Sequence, residues 1–571
     1  MGSRWTEEQQ QVIDLRDCNM LVSAAAGSGK TAVLVERIIS KILDERKPAD
    51  IDRLLVVTFT NAAAGEMRER IRTALEEKLE EQPENEHLQR QITLVHHAQI
   101  TTIHSFCLEV IRNHFHRIGL DPGFRIGDEG ELKLLRHDVM EELLEEAYSE
   151  KDPEFLCFSE AFAPGKSDQG LEEAILQFYD FSMGHPWPES FRSQCLEAYG
   201  ADETMFANAP WMQELLRILK LRIQDLVTIQ KGLLAIVREP DGPWMYLEAM
   251  EEDLHYLQLL EKCSTYEEYY HIFETPPSWL ALSRKKDENV SAIKILRVKN
   301  LRDMIKKQID KLRQTYFFAS PSQMAEDMAN NRHMVQVLVK LTDRFEKAYE
   351  ERKTEKNLVD FNDLEHFALK ILVEPGEAGW APTQAAREYG EYYQEIMIDE
   401  YQDSNLVQEI LLTSVSGKAQ GRRNLFMVGD VKQSIYRFRL ARPELFMEKY
   451  HTYQKNQGEN RRIDLHKNFR SRHQVLDTVN LIFQQLMTEA VGGIVYDEDA
   501  ALYPGAQFPP APKEEFYDTE VLLIEDVRKQ GDSEENGEAA GDLRRQEAMA
   551  VALRIRQMVG TEQIWDKEEW R

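Results

Sequence analysis

The stretch MLVSAAAGSGKTAVL, residues 20–34, contains the first side chains along the chain that could form a binding or catalytic site. An apolar run, a glycine-containing loop and then Lys30-Thr31 at the start of a helical pattern are typical of a phosphate-binding loop. Backbone N–H groups would face the phosphates, Lys30 would supply charge, and the Thr31 hydroxyl could ligate Mg²⁺. Ala24 replaces the first glycine of the usual pattern, so an ordinary turn is the alternative. The predicted nucleotide-binding residues are Ala24, Ala25, Ala26, Gly27, Ser28, Gly29, Lys30 and Thr31.

Two carboxylates and an arginine follow far downstream. Asp399 and Glu400 come after the apolar run of IMIDEYQDSN, at the end of a predicted strand. There Asp399 could hold Mg²⁺ through water, and Glu400 could orient or deprotonate an attacking water molecule. Arg470, in LHKNFRSRHQ, could stabilise charge during phosphoryl transfer. Considered alone, a charged loop and a surface arginine are ordinary features, and only the phosphate loop upstream favours a hydrolytic role for them.

The segment MVGDVKQSIYRFRLARPELF combines an amide with aromatic and basic side chains. Gln433 follows a buried-strand pattern, where its side chain could sense a γ-phosphate. Tyr436 and Phe438 alternate with Arg437 and Arg439. Such alternation suits stacking on bases and contact with the phosphates of a single nucleic-acid strand. A pair of core aromatics on an amphipathic turn is the alternative.

Predicted strands and helices alternate along the chain and would hold the candidate site residues in place. MLVSA, LLVVTFT (residues 54–60) and QITTIHSF (residues 99–106) have the composition of buried strands, with amphipathic helical patterns between them. This alternation predicts a parallel sheet covered by helices. Residues 126–352 are rich in Leu and Glu and poor in strand patterns, so we expect a helical insertion there. EIMIDE (residues 395–400) and NLFMVGD (residues 424–430) then resume the sheet.

The composition indicates a globular protein of several domains. With 571 residues, the chain exceeds what one hydrophobic core serves, so we expect three or more domains or subdomains. No apolar run approaches the ~18 residues that span a bilayer, and the N-terminal MGSRWTEEQQ lacks the features of a signal peptide. Five scattered cysteines without a C-x-x-C pair argue against a disulfide framework or a zinc site and fit a reducing cytosol.

The charge is strongly negative, with one local exception. A net charge of −30 argues against a broad nucleic-acid-binding surface, because neutralising phosphates requires clustered Lys and Arg. Residues 284–313, however, contain eleven Lys or Arg against four Asp or Glu. This segment could grip a nucleic-acid duplex, and a solvated helix face with i,i+4 ion pairs is the alternative.

Six segments, in chain order, resemble the motifs of one helicase superfamily. AAAGSGKT, VVTFTNAAAGEMRERI, ITTIHSFC, IDEYQDSN, VGDVKQSIYRFR and LHKNFRS look like motifs I, Ia, Ib, II, III and IV of superfamily 1A helicases. WTEEQQQVI resembles their Q motif, with Gln9 in the adenine-reading position. FRIGDEGELKLLRHDV, NLVDFNDLEHFAL and YRFRLARPELF are similar to the AddA branch, the helicase–nuclease subunits of bacterial AddAB. UvrD/PcrA-type repair helicases usually continue motif III as Y-x-W/F-R-G-A, whereas this chain continues YRFR as LARP. RecB is a weaker match.

The resemblance implies roles for individual residues. The catalytic set would be Lys30, Asp399, Glu400, Gln433 and Arg470, with Mg²⁺ held by Thr31 and Asp399. In this set Gln433 would couple the γ-phosphate to DNA, and Arg470 would act as an arginine finger. The single-strand path would be lined by Thr58, Phe59, Asn61, His104, Ser105, Tyr436, Phe438 and Arg439. For Thr58, His104 and Ser105 the alternative is a buried hydroxyl or a hydrogen-bonded histidine at a strand end.

The implied fold is α/β: a RecA-like P-loop NTPase domain with a parallel sheet, a large all-helical insertion and the start of a second RecA-like domain. We expect domain 1A in residues 1–125 and 353–460, the insertion 1B, a candidate DNA-binding unit, in residues 126–352, and the start of domain 2A in residues 461–571. Motifs V and VI and the D…[DE]-x-K carboxylates of a RecB-type nuclease are not found in the sequence. We therefore expect the N-terminal portion of a longer protein.

The implied function is an ATP-dependent DNA helicase or translocase that moves 3′→5′ with ATP and Mg²⁺. It would belong to a helicase–nuclease that processes double-strand DNA ends for recombinational repair, with the nuclease outside this chain. Expected partners are DNA, as single strand and duplex end, and an AddB-like subunit in a heterodimer, in the bacterial cytoplasm at the nucleoid and without a membrane. The chain alone is expected to bind ATP and DNA with little processive unwinding. The alternatives are a stand-alone UvrD/PcrA-type repair helicase and a nucleotide-gated, DNA-binding scaffold subunit.

Overall fold

A seven-stranded sheet forms the centre of the computed structural model. The structure describes residues 5–163, 165, 167–199, 203–275, 277–376, 379–455, 457–510, 517–524, 538–561, 565–566 and 569–570. The strands of the sheet are β1 (Asn19–Ala24), β2 (Leu54–Thr58), β3 (Gln99–Thr102), β4 (Glu395–Ile398), β5 (Leu425–Gly429), β6 (Gln454–Lys455) and β7 (Asn460–Leu465). Their order is β6-β7-β1-β5-β4-β2-β3, and every neighbouring pair is parallel. The predicted α/β fold with a parallel sheet is confirmed.

Helices cover the sheet and form the long insertion. In the described part of the chain they are, in order, α1 (Glu7–Asp14), α2 (Lys30–Ile42), α3 (Asn61–Glu81), α4 (Glu86–Leu94), α5 (Ile103–His114), α6 (Glu129–Glu150), α7 (Pro153–Phe162), α8 (Gln169–Met183), α9 (Pro188–Glu197), α10 (Glu203–Asn208), α11 (Pro210–Val237), α12 (Leu247–Lys262), α13 (Tyr266–Glu274), α14 (Ala292–Tyr316), α15 (Pro321–Glu355), α16 (Phe361–Leu372), α17 (Gln384–Tyr392), α18 (Leu406–Ser414), α19 (Pro443–Thr452), α20 (His473–Leu486), α21 (Glu489–Gly492) and α22 (Glu538–Met558). None of them is both long and apolar enough to cross a membrane.

The two faces of the sheet pack against different helices because successive strand residues point to opposite sides. Met20 and Val22 of β1 join the core formed with α1 to α4, whereas Leu21 between them joins the core formed with α5 and α16 to α19. A strand buried on both faces has the near-continuous apolar sequence seen in LLVVT of β2. The phosphate loop follows the C-terminal end of β1, and the predicted catalytic residues Asp399 and Glu400 follow the C-terminal end of β4.

One predicted strand is shorter than expected. The pattern of QITTIHSF predicts a strand over residues 99–106, but β3 ends at Thr102 and α5 begins at Ile103. The Thr102 side chain accepts a hydrogen bond from the Ser105 backbone N–H and so caps the new helix. The apolar residues after Thr102 consequently face the core from a helix rather than from a strand.

The insertion is helical, as expected, but it contains two hydrophobic cores. One core joins α6 to α8 with the C-terminal half of α15, and the other joins α10 to α14 with the start of α15. The 35-residue helix α15 runs through both. A short parallel pair, Arg125–Ile126 with Leu358–Val359, lies where the insertion leaves and rejoins the sheet domain.

The boundary predicted at residue 461 does not fit the sheet. Strand β7 pairs with β1 from Asn19 opposite Asn460 to Ala24 opposite Leu465, so residues 460–465 belong to the seven-stranded sheet. The reason is that β7 buries Ile463 and Leu465 in the same core as α2. A second RecA-like domain after Leu465 stays a prediction.

Candidate functional site

The phosphate loop connects β1 to α2 and has the backbone shape of an anion site. Gly27 and Gly29 have φ of 69° and 81°, a left-handed conformation that favours glycine. Gly29 is the N-cap of α2, so the first N–H groups of that helix have no partner within it. The Ser28 hydroxyl oxygen is buried without a hydrogen-bond partner. These donors fit a bound phosphate, and Lys30 and Thr31 begin the helix beside them.

The first two alanines of the loop pack against protein rather than facing the anion cradle. Ala24 is fully buried as the last residue of β1, which explains why a methyl group is accepted where the usual pattern has glycine. Ala25 packs with Leu476 and Leu502, and its backbone N–H donates to the Leu465 carbonyl at 3.0 Å. The departure from the usual pattern is therefore structural and leaves the phosphate-facing residues intact.

Gln9 lies against the loop from α1. Its Nε2 donates to the Ser28 carbonyl at 3.0 Å, and its Oε1 accepts from the Thr6 backbone N–H at 3.0 Å. A cavity of about 270 Å³ opens beside it and is lined in part by Phe469 and Tyr503. An aromatic-walled cavity next to a phosphate loop is suited to a planar base. The adenine contact of Gln9 stays a prediction, since both ends of its amide already bond to protein.

Lys30 and Glu400 form the centre of the site. Lys30 Nζ lies 3.1 and 2.9 Å from the two carboxylate oxygens of Glu400. Glu400 has a φ of 52°, a strained conformation for a residue other than glycine, of the kind that functional sites retain. Burial raises the pKa of Asp399 to about 6, and the charge of Glu400 adds to the rise. A cation at this position would relieve the crowded carboxylates.

The two predicted Mg²⁺ ligands, Thr31 and Asp399, follow β1 and β4. Because the sheet is parallel, the C-terminal ends of these two strands lie on the same side of it. Among the described residues, no three His, Cys, Asp or Glu side chains are grouped to hold a metal by themselves. This donor set fits Mg²⁺, which commonly takes one or two protein oxygens and completes its shell with phosphate oxygens and water.

A short chain of hydrogen bonds leads from Glu400 to the predicted sensor glutamine. Gln402 donates to Glu400 Oε2 at 3.0 Å and accepts from the Asp430 backbone N–H at 3.0 Å. The Asp430 carboxylate in turn accepts from Gln433 Nε2 at 2.8 Å and pairs with Lys432 at 2.9 Å. Gln402 is not among the predicted site residues, because its role depends on a contact with Asp430, which is distant in sequence. The position of this amide two residues after Glu400 was the available signal.

Arg470 is brought to the phosphate loop by its neighbour Asn468. Asn468 Nδ2 donates to the Ala26 carbonyl at 2.7 Å, while its Oδ1 accepts from the Arg470 backbone N–H at 2.8 Å. Between them, the Phe469 N–H donates to the Gly27 carbonyl at 2.8 Å. The exposed Arg470 side chain therefore starts beside the loop. The sequence did not single out Asn468 and Phe469, although both stand in LHKNFRS.

Four of the residues predicted to contact a DNA strand form one cluster, which we call the aromatic surface: Phe59, Tyr436, Phe438 and Arg439. Phe59 and Tyr436 are half-buried, and Phe438 and Arg439 are exposed. The Phe59 and Tyr436 rings lie 4.7 Å apart, and the Tyr436 and Phe438 rings 5.8 Å apart. The Arg439 guanidinium lies 5.3 to 5.8 Å from all three ring centres. Phe438 is 76% exposed, so it is not a core residue. Rings interleaved with a cation can stack on bases and contact phosphates.

Thr58, Asn61 and Ser105 have different surroundings. Thr58 is buried and donates its hydroxyl to the Thr60 carbonyl at 3.1 Å. Asn61 is exposed at the start of α3, two residues after Phe59. Ser105 is exposed, and its hydroxyl lies 3.0 Å from that of Thr102. Their DNA contacts stay predictions, and the hydroxyls of Thr58 and Ser105 also have structural partners.

His104 stands in a second group that the sequence did not reveal. Its Nε2 lies 3.3 Å from Oε1 of the buried Glu365, and its ring meets Phe361 edge-on at 5.2 Å. Phe361 is 57% exposed at the start of α16. The available signal was the pairing of aromatics with carboxylates in DFNDLEHF, a segment that resembles the AddA branch but carries no helicase motif.

Known proteins are similar to this chain over most of its length. Residues 5–454 match the family model described as the UvrD/REP helicase N-terminal domain. A protein of Lachnoclostridium phytofermentans, named as the A subunit of an ATP-dependent helicase/nuclease, is 47% identical over 580 residues, which are 97% of this chain and 42% of that protein. Proteins of the same name from Clostridium beijerinckii and Geobacillus thermodenitrificans are 42% and 43% identical, over 94% and 98% of this chain and 44% and 45% of their own lengths.

The chain thus spans less than half the length of these three relatives. The predicted resemblance to superfamily 1A helicases and to the AddA branch is confirmed. The matched residues include the phosphate loop, the carboxylate pair and the aromatic surface. The chain belongs to the UvrD/REP helicase family.

Proposed function

We propose that this chain is the nucleotide-binding motor part of an ATP-dependent DNA helicase that moves along one strand. The observation that carries the proposal is the series of contacts from Lys30 through Glu400, Gln402 and Asp430 to Gln433. Three residues after Gln433 the aromatic surface begins. A nucleotide site joined so directly to a surface suited to single strands supports conversion of hydrolysis into movement.

The chain's own residues divide the work at the nucleotide. Bound ATP with Mg²⁺ would supply the phosphoanhydride whose hydrolysis drives movement. Lys30 and Thr31 would bind phosphates and metal, and Lys30 would then turn away from Glu400. The freed Glu400 carboxylate could accept a proton from the attacking water, while Arg470 balances negative charge.

DNA would lie across the aromatic surface, with bases stacked on its rings. Stacking tolerates any base, so this surface would bind strands without reading sequence. The helical insertion would hold duplex ahead of the separation point through α14. There Arg297, Lys299, Lys307 and Lys311 are exposed, whereas Arg302 is buried against Asp253. Only part of the basic segment is therefore available to phosphates. Movement 3′→5′ is part of the proposal and rests on the family resemblance.

The larger assembly is also a proposal. The relatives are named as helicase/nuclease subunits, which supports a role in a complex that unwinds and cuts DNA. In that role the chain would process double-strand ends for recombinational repair, together with an AddB-like partner, in the bacterial cytoplasm at the nucleoid. The nuclease would be contributed outside these 571 residues.

The nucleotide half of the proposal is tested by binding of a fluorescent ATP analogue with Mg²⁺. Lys30→Ala should weaken binding about 10- to 100-fold, the effect of losing a hydrogen bond to a charged group. Lys41→Ala is the matched control, because Lys41 lies on the same helix but pairs with Glu395 at 3.4 Å. Equal affinity of wild type and Lys30→Ala would contradict the assigned site.

The strand half is tested with a labelled oligo(dT) of about 16 nucleotides, a length within the range of single-strand sites. Arg439→Ala should lower affinity about tenfold, because the guanidinium contributes both charge and ring contacts. Arg437→Ala is the control, since Arg437 is exposed and pairs with Glu444 instead. If the two variants lose affinity equally, the aromatic surface is not the binding surface.

A further inference from the structure

Glu365 is a buried carboxylate that the proposed mechanism has not used. It lies on the second turn of α16, outside the segments that resemble helicase motifs, and its surface is 6% exposed. Removing an ionised carboxylate from water costs several kcal/mol unless partners replace the lost hydration. A residue retained under that cost needs a specific reason.

Three donors from two elements converge on this carboxylate. His104 Nε2 lies 3.3 Å from Oε1, and Gln408 Nε2 donates to the same oxygen at 2.8 Å. Asn405 Nδ2 approaches Oε2 at 3.5 Å. Burial alone would raise the pKa of Glu365, but hydrogen bonds from His104 and Gln408 and the charge of His104 outweigh it and hold the pKa below its ordinary value. The Glu365 side chain is therefore ionised at neutral pH, and each of its carboxylate oxygens faces at least one donor.

On one side, Glu365 holds His104, one of the residues predicted to contact single-stranded DNA. With Nε2 bonded to Glu365, Nδ1 is the imidazole nitrogen that remains available to a strand. The His104 side chain is 38% exposed and also rests against the exposed Phe361. The carboxylate thus sets the orientation of a partly exposed ring.

On the other side, Glu365 holds the start of α18, which follows the hydrolytic carboxylates directly. Asn405 caps this helix through a 2.8 Å hydrogen bond from the Gln408 backbone N–H, and both side chains also turn to Glu365. The preceding residue, Ser404, accepts from the Arg442 backbone N–H at 2.9 Å. The turn between Glu400 and α18 is therefore attached to Glu365 at one end.

We propose that Glu365 is a positioning residue that couples strand binding at His104 to the hydrolytic carboxylates through the start of α18. Displacement of His104 by a bound strand would move the shared carboxylate and, with it, Asn405 and Gln408. This second route would complement the one through Gln402 and Gln433. The inference rests on the proposed function, because it needs both a nucleotide and a strand to be bound.

The test measures the affinity of this chain for labelled oligo(dT), with and without a non-hydrolysable ATP analogue and Mg²⁺. The ratio of the two dissociation constants is the coupling factor, which is commonly about 5- to 150-fold between linked sites. Glu365→Gln keeps the shape but removes the charge and points an amide donor at Gln408. We expect the coupling factor to fall to within about twofold of one.

A double-mutant cycle separates positioning from a general loss of structure. In the His104→Ala background, Glu365→Gln should cause no further loss of coupling, because it acts through the missing imidazole. Independent, additive losses would overturn the inference. Asp253→Asn is the matched control, since it removes an equally buried charge, paired with Arg302, in the helical insertion. It should lower the unfolding midpoint but leave the coupling factor unchanged, and a collapse of coupling there would also overturn the inference.

A second variant covers the case in which Glu365→Gln does not fold. Gln408→Ala removes one donor from the surface of α18 and should reduce the coupling factor by about half or more, the loss of one charge-assisted hydrogen bond. Full coupling in Gln408→Ala would overturn the inference. If the wild-type chain shows no coupling between nucleotide and oligo(dT), the proposed function is overturned as well. If the wild type and Glu365→Gln show the same coupling factor, only the positioning role is overturned.

Discussion

At the level of single residues, the phosphate loop uses small side chains for two different purposes. Ala24 and Ala25 are buried, and their methyl groups pack within hydrophobic clusters of the protein. Gly27 and Gly29 instead adopt left-handed backbone angles. At Gly27 a β-carbon would also lie 2.6 Å from Asn468 Nδ2, whereas at Gly29 the nearest atom, Gln9 Nε2, would lie at 3.5 Å. Only Gly27 is required both by conformation and by space.

Replacing each glycine by alanine should therefore have unequal effects. Gly29→Ala should cost about 1–2 kcal/mol of stability, the penalty of a left-handed alanine. Gly27→Ala should cost more and should also displace Asn468, releasing the Phe469 N–H from the Gly27 carbonyl. Hydrogen exchange at Phe469 measures this release directly. If the Phe469 N–H is protected from exchange as strongly in Gly27→Ala as in Gly29→Ala, the predicted difference between the two glycines is contradicted.

Residue types could be predicted where the chemistry is carried by one segment. The sequence predicts Lys30, Glu400 and Arg470 as site residues by their type and order along the chain, and the structure places Lys30 against Glu400. Gln402 and Asn468 could not be identified in this way, because their roles arise from contacts with Asp430 and Ala26, which are distant in sequence. Hydrogen bonds between distant segments leave no periodic or compositional pattern.

At the level of elements, α2 and β4 are joined at both ends. Lys30 meets Glu400 at the site, while Arg37 meets Glu395 at the far end, with Nη2 2.6 Å from Oε1 and Nε 3.2 Å from Oε2. Burial alone would raise the pKa of Glu395, but the charges of Arg37 and Lys41 outweigh burial and hold it below its ordinary value. This buried pair holds the middle of α2 against the start of β4, the strand that the two carboxylates follow.

Glu395→Gln should destabilise the protein by about 3 kcal/mol at pH 7, because it leaves Arg37 buried without its partner charge. The folded-state pKa of Glu395 is depressed, so the pair stabilises the fold above the ordinary pKa of a glutamate. That contribution is lost as pH falls through the folded-state pKa. The difference in unfolding midpoint between Glu395→Gln and the wild type should therefore become smaller as the pH is lowered. The control is Glu388→Gln, which changes an exposed residue of α17 and should lack this pH-dependent difference. A difference that does not vary with pH would contradict this assignment.

Elements were predicted well where apolar runs are long and bounded. The strands ending at Thr58 and Ile398 lie within the predicted segments, since a fully buried parallel strand has a distinctive composition. The end of β3 was misplaced because the apolar residues continue into α5 without a glycine or proline. The signal was the Thr102 cap, which apolar patterning alone does not reveal.

At the level of the whole molecule, the helical insertion is built from two cores joined by α15. The sequence indicated that residues 126–352 are helical but not which helices share a core, because an amphipathic stripe does not identify its partner. The second core carries α14 and hence the basic segment, and it contains none of the predicted nucleotide-site residues. This separation lets duplex binding and strand binding be tested independently.

Reversing three exposed charges on α14, Lys299→Glu, Lys307→Glu and Lys311→Glu together, should weaken binding of a blunt duplex. The salt dependence of that binding should also become shallower by about 0.9 for each phosphate contact removed. Affinity for oligo(dT) should be unchanged, since the aromatic surface lies elsewhere. The matched control reverses Lys220, Arg222 and Lys231, which lie on α11. Equal loss of duplex affinity in both triple variants would exclude a specific role for α14.

We expect this chain to join a nucleotide site to a surface for single-stranded DNA, so that binding at each affects binding at the other. The most direct measurement is the affinity of the wild-type chain for oligo(dT), determined with and without a non-hydrolysable ATP analogue and Mg²⁺. We predict a coupling of about fivefold or more, which Lys30→Ala abolishes. An oligo(dT) affinity that is identical with and without nucleotide would contradict this claim.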